Sequence, residues 1–208
     1  MSLSLPSRSR SAGASLTVVC GLLSGLFIAV PALAEVFTGE TAVTSYLLGL
    51  APALSLPLLG ALHRRQSPVS GRSGEVAYVV NLVGAGLFGG AAFTLNMALF
   101  YLDEAAVEDL LSGPTRSALL GSAVVFAVGC VLFGVSAVRA GVWPRAAAWA
   151  YTVTLPLLAL VAPKADTVLS SALHIAGGVT LMWLAVGLHA SPAAGSDGAE
   201  GAAPAAVR

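Results

Sequence analysis

In a chain this apolar, the polar side chains inside it that could do chemistry are few: Asn81, Asn96, Ser122, Thr152, Thr154 and His174, of which Asn96, Ser122 and His174 stand out by sharing one depth. A serine near a histidine suggests a nucleophile with the base that takes its proton. The same three residues could instead be mutual hydrogen-bond partners that hold helices together, or the walls of a small polar pocket. A second pattern is "GAGLFGG", residues 84–90, whose first six letters fit the G-x-G-x-x-G of a dinucleotide-binding turn. Asp103, 19 positions after Gly84, stands near where that turn wants an acid for the ribose. A nucleotide turn needs strand, turn, helix and a second strand before the acid. Residues 76–102 are instead one uncharged apolar run, so no nucleotide is expected. Read as a helix, Gly86 and Gly90 form G-x-x-x-G, with Ala85 and Gly89 one step over, which predicts a helix-packing seam. Gly21 and Gly25 repeat that spacing near the N-terminus.

The other reactive residue types give less. Cys20 and Cys130 both fall in apolar runs without metal spacing and read as small core residues. The three histidines are His63, His174 and His189. His174 and His189 are separated by about 22 Å along one helix, and no bis-His pair at matched depth appears, so no heme is expected. Asp103, Glu104, Glu108 and Asp109 form an acidic run without EF-hand order, which reads as a solvated face. No metal and no cofactor is expected.

The elements that must position these residues are clear. Of 208 residues, 57% are hydrophobic and 10% charged; a soluble domain has about 25% charged. Mean hydropathy is +0.88. Six stretches are long and apolar enough to be read as membrane spans: 16–34, 41–62, 76–102, 117–138, 146–162 and 168–189. Backbone groups in lipid must be satisfied within the segment, so these are helices. The expected fold is an all-α, polytopic bundle of six transmembrane helices. Residues 1–14 read as a disordered cytoplasmic N-terminus, 15–189 as the membrane domain and 190–208 as a disordered cytoplasmic tail.

The charges orient the bundle. With the N-terminus inside, Arg8, Arg10, Arg64, Arg65, Arg72, Arg139, Arg145 and Arg208 share one side, against Arg116 and Lys164 on the other. The positive-inside rule makes the arginine-rich side cytoplasmic, with both termini inside and the cell membrane as location. No basic cluster argues for nucleic acid. The partners expected are the bilayer and another membrane protein or a second copy. In this topology Asn96 lies about 9 Å below the outer edge, His174 lies at a similar depth, and Ser122 joins that layer.

Residues 1–34 also fit a secretory signal: Arg8 and Arg10, an apolar core, then Ala32-Leu33-Ala34 before Glu35. The alternative is an uncleaved first helix, which Gly21 and Gly25 favour. The 63–74 loop reads as basic and flexible. The 103–114 loop could hold a short helix with Val107, Leu110 and Leu111 on its apolar edge. Pro52, Pro57 and Pro156 should kink their helices. Leu-Pro-Leu-Leu at 56–59 and 155–158, and glycine pairs at 89–90 and 177–178, hint at two inverted three-helix halves.

Two resemblances follow. "RAGVWPRAAAWAYTV", residues 139–153, resembles a turn common in small uncharacterised multi-pass membrane proteins of high-GC actinobacteria. That family has no assigned activity to carry over. Arg139 and Arg145 mark the cytoplasmic face there, and Trp143 and Trp149 read as headgroup-level anchors. Six helices, Ser122 early in the fourth and His174 in "LHIAGG" of the sixth resemble the rhomboid intramembrane proteases. The serine lacks the rhomboid G-x-S-G setting, and the second helix offers no His/Asn pair at that depth. The main expectation is a non-enzymatic accessory or interaction subunit, or a bundle with a small-solute pocket. The alternatives are a small transporter of inverted three-helix repeats and an intramembrane hydrolase using Ser122 and His174.

Overall fold

The computed structural model describes residues 8–162 and 167–190. All regular structure among them is helical. The helices are α1 (Arg8–Thr38), α2 (Ala42–Met97), α3 (Glu104–Ser112), α4 (Pro114–Ala140), α5 (Arg145–Leu160) and α6 (Thr167–Ala190), with a short 3-10 turn at Leu99–Tyr101. Their ends follow local chemistry. Thr41 and Thr44 form a capping box at the start of α2, each side chain accepting the other's backbone N–H. Asp103 accepts from Ala106 N at 2.9 Å and caps α3. Pro114 opens α4, and Gly141, at φ 65°, closes it.

α2 is two helices in one run. Gly71 alone has non-helical angles, φ 58° and ψ −160°. The chain folds back there: His63 stacks on Tyr78, Gly89 faces Pro52, and Gly49 lies against Asn96 and Met97. The limbs 42–70 and 72–97 are therefore antiparallel. The 63–74 segment, read as a flexible loop, is helical on both sides of Gly71. Pro52, Pro57 and Pro156 lie inside helices whose continuity they do not break. Residues 8–14, read as disordered, belong to α1, while 1–7 and 191–208 lie outside the described residues.

Six helical limbs close into a ring: α1, α6, α5, α4, limb 72–97, limb 42–70, and back to α1. Small residues and hydroxyls pin each junction. Ser24 Oγ donates to Ala51 O at 2.8 Å between α1 and limb 42–70. A methyl on Gly178 of α6 would lie 2.5 Å from Gly25 O of α1. Thr154 and Thr180 hydroxyls meet at 3.2 Å between α5 and α6. Gly134 of α4 gives way to the Thr152 side chain of α5. Gly84 and Gly129 let limb 72–97 and α4 touch backbone to backbone: added methyls would sit 2.6 Å from Phe126 Cα and 2.5 Å from Asn81 Cα.

The core is central and the outside is apolar too. Leu58, Phe133, Cys130, Leu155 and Ala185 are buried, while Val30, Val83, Val124, Val153 and Trp183 are exposed. Helices apolar on every side suit a membrane setting. Four continuous segments are long and apolar enough to cross a membrane: Leu16–Thr38, Ala42–Tyr101, Pro114–Ala140 and Val168–Ala190. The second contains both limbs of the hairpin. α5, at 16 residues, is shorter.

Gly86 and Gly90 do not form the seam read from the sequence. A methyl on either would meet no atom within 4 Å, and both residues are exposed. Gly84 holds the seam instead. Residues two apart lie about 200° apart around an α-helix, so a helix that buries Gly84 turns Gly86 outward. Gly89 faces Pro52 with a methyl separation of 3.3 Å, and Gly21 and Gly25 do pack as read, against Leu58, Ala185 and Met182.

Candidate functional site

The outer polar layer does not assemble. Asn96 Nδ2 donates to Ala92 O at 2.8 Å. Ser122 Oγ donates to Ala118 O and Leu119 O, both at 2.8 Å. His174 Nδ1 lies 2.8 Å from Ser170 O. Each of the three side chains folds back onto its own helix, as hydroxyls and amides in an apolar helix do when no partner faces them. α4 packs on α2 and α5, whereas α6 packs on α1 and α5. Ser122 and His174 share no hydrogen bond, and the nucleophile–base arrangement expected of a hydrolase does not form. Among the described residues no serine or cysteine side chain hydrogen-bonds a histidine ring.

The polar side chains that do converge lie in the half of the bundle toward the arginine-rich end. Limb 42–70 contributes His63, Gln66 and Ser70; limb 72–97 contributes Glu75, Tyr78 and Asn81. Folding at Gly71 brings His63 against Glu75 and Tyr78. His63 Nε2 lies 3.0 Å from Glu75 Oε2, and its ring stacks on Tyr78 with centroids 3.9 Å apart and planes 7° from parallel. Tyr78 leans on Phe133, and Phe133 meets Tyr151 edge-on at 5.9 Å. The column ends on Asn81, whose Nδ2 donates to the Tyr151 hydroxyl at 2.6 Å. Cys130 Sγ donates to Asn81 Oδ1 at 3.4 Å and lies 3.7 Å from the Tyr151 hydroxyl. One amide thus ties together limb 72–97, α4 and α5.

Unpaired polar atoms gather at the outer rim of this column. Gln66 is fully buried, and neither end of its amide finds a protein partner. The same holds for His63 Nδ1, Ser70 Oγ and Trp143 Nε1. The one further such atom among the described residues, Glu35 Oε1, lies at the other end; most buried polar groups in proteins are paired, so the cluster of five marks the arginine-rich end. Trp143, read as a headgroup anchor, is buried, with Arg65 4.9 Å above its ring. Trp149 is exposed, as an anchor would be.

The chemistry this column can support is limited. Cys130 has a phenol and an amide as neighbours, and neither takes a thiol proton near neutral pH, so nothing activates the sulfur. His63 has a carboxylate to orient it but no hydrogen-bonded nucleophile. At the bundle centre, a narrow cavity of about 40 Å³ is lined by Pro52, Leu58, Phe126, Tyr151, Leu155 and Leu181. It has room for a few waters. Pro57 is exposed and Pro156 half-buried, so the matching prolines do not frame a solute site. The two glycine pairs differ as well: Gly178 is buried against α1, and Gly90 faces outward.

The sequence offers Asn81 as a candidate polar residue and His63 as one of three histidines, but it does not join the two to Gln66 and Tyr78 as a group. The available signal was their period: 63, 66 and 70 on one helix, and 75, 78 and 81 on the next. That period marks a helix face but not which neighbour it meets. No protein-family model, curated protein or solved structure matches the chain.

Proposed function

We propose that this chain is a six-span membrane protein with both ends cytoplasmic, acting as a non-enzymatic accessory subunit that packs against a transmembrane helix of a second protein. The observation that carries the reading is the outward Gly86/Gly90 face. Both glycines lie on limb 72–97 with open space above them, flanked by exposed Val83, Leu87 and Phe93. Small residues four apart in an apolar stripe allow another helix backbone to approach closely, which is how helices associate in lipid. The bundle does not use this face for its own packing, because Gly84 and Gly129 already seat α4. The eight-to-two asymmetry of lysine and arginine supports the orientation. The unlinked Ser122 and His174 support a non-enzymatic role, and the narrow central cavity argues against a transported solute.

Gentle purification followed by native mass spectrometry tests the reading. The expected result is a complex with a second polypeptide. Gly86→Leu and Gly90→Leu should each release it, while the variants keep the wild-type helix content and thermal midpoint. A wild-type chain that purifies only as a monomer defeats the proposal. A homo-oligomer broken by the same substitutions would keep the face and change the partner to a second copy.

A further inference from the structure

A groove at the arginine-rich end lies away from the Gly86/Gly90 face and shares only Ser70 with the polar column. It has a volume of about 410 Å³ and opens where the α2 hairpin meets the last turns of α4. That volume is in the range of small-ligand sites. Its two halves differ in chemistry. Toward the bundle middle it is lined by Val76, Leu132 and Val135; toward the end Ser70, Ser73, Ser136 and Arg139 line it beside Val69 and Ala140. The register explains the division. On α4, residues 132, 135, 136 and 139 share a face, so the apolar positions give way to serine and arginine within two turns. Limb 72–97 presents Ser73 and Val76 in the same order.

We infer that this groove binds the phosphate headgroup of an anionic phospholipid, with Arg139 as the charge partner and an acyl chain along Val76, Leu132 and Val135. Arg139 is exposed and makes no ion pair among the described residues. The Ser70 hydroxyl lines the groove, is shielded from solvent and has no protein partner. Ser73 Oγ donates to Ser70 O at 3.3 Å. Gly74 lies behind two of the lining hydroxyls: a methyl there would run into the Ser70 hydroxyl and come within 3.1 Å of Ser136 Oγ. Glu75, the one carboxylate at this end among the described residues, is engaged with His63 rather than the groove. The local field is therefore positive, which suits an anion.

Lipid fits better than a free anion because of where the groove opens. Val76 and Leu132 are exposed on the same outer surface that carries Val79 and Val128. A soluble phosphate would satisfy Arg139 and the hydroxyls but leave this apolar half uncovered. A phospholipid covers both halves at once. The inference rests on the chain crossing a membrane with its arginine-rich end at the surface.

The full chain is reconstituted into nanodiscs of phosphatidylcholine with a minor share of phosphatidylglycerol, released and read by native mass spectrometry. Retention of phosphatidylglycerol above its share of the mixture is expected. Arg139→Gln should weaken that preference about fivefold, the scale of one interfacial arginine, and Gly74→Val should do so by displacing the Ser70 and Ser136 hydroxyls that line the groove. Arg116→Gln, at the opposite end, should leave it unchanged. Equal retention of the two lipids, or an Arg139→Gln variant like wild type, overturns the inference. So does displacement of the lipid by inorganic phosphate with the same Arg139 dependence, which would make the groove a soluble-anion site. A chain that does not enter the nanodisc at all refutes the membrane reading itself, whereas an embedded chain without lipid preference refutes only the groove.

Discussion

Asn81 joins three helices through one amide, and its environment explains why it is buried in apolar surroundings. Gly129 brings α4 so close that the Asn81 backbone is in van der Waals contact with it, and the amide then reaches both Cys130 and Tyr151. Leaving the phenol and thiol without this partner costs more than the bond is worth by itself. Asn81→Ala should lower stability in a detergent unfolding titration by about 1–3 kcal/mol. A double-mutant cycle with Tyr151→Phe should return a coupling of about 0.6–1.7 kcal/mol, the range found between membrane helices. Strict additivity would mean the 2.6 Å contact carries no energy. Ser122 and His174 behave differently at this scale. Each spends its hydrogen-bonding capacity on its own helix, so Ser122→Ala and His174→Ala have no shared bond to break.

Helix rotation and chain reversal decide what each residue can meet. Gly71 sits at φ 58° and ψ −160°, a region open essentially to glycine. Gly71→Ala should cost about 1–3 kcal/mol in the same unfolding measurement. An unchanged midpoint would show that the reversal tolerates a side chain. The glycine series on limb 72–97 separates internal from external packing. Gly84→Leu should abolish the folded bundle, because its side chain would enter the Phe126 backbone, whereas Gly86→Leu points into open space. Equal damage from both substitutions would contradict the helix rotation described above. α1 is bound into the ring by Ser24, Gly25 and Gly178, so its removal would strip contacts from both α6 and limb 42–70.

At the scale of the whole molecule, the two ends have different character. Arg64, Arg65, Arg72, Arg139 and Arg145 surround the hairpin turn and the α4–α5 connection, while Asp103, Glu104, Glu108 and Asp109 belong to the opposite end. Five of the six buried unpaired side-chain atoms among the described residues, those of His63, Gln66, Ser70 and Trp143, belong to the arginine-rich end, as does the groove beside Arg139, whereas the sixth, Glu35 Oε1, lies at the other end. A reporter fused at the C-terminus should be active only in its cytoplasmic form, and a reporter inserted at 112–113 only in its external form. The reverse pattern would overturn the orientation and move the groove to the other leaflet.

The amino-acid order by itself determined that the described chain is helical and where its long apolar runs lie, because a run of about 20 uncharged apolar residues favours a helix that satisfies its own backbone; of the six runs read as spans, the structure shows four continuous helical segments long and apolar enough to cross a membrane, one of them holding both limbs of the hairpin. It also determined the short acidic helix α3 and the segregation of charge. The polar contacts were decided only by tertiary structure. Gly86 and Gly90 look like a seam in the sequence, yet the seam is Gly84, since rotation about the helix axis is set by the neighbour that Gly129 admits. His63 and Tyr78 are 15 positions apart and become a stacked pair only because Gly71 reverses the chain. Periodicity tells which residues share a face; which faces meet depends on backbone approach and register, and those are properties of the packed bundle.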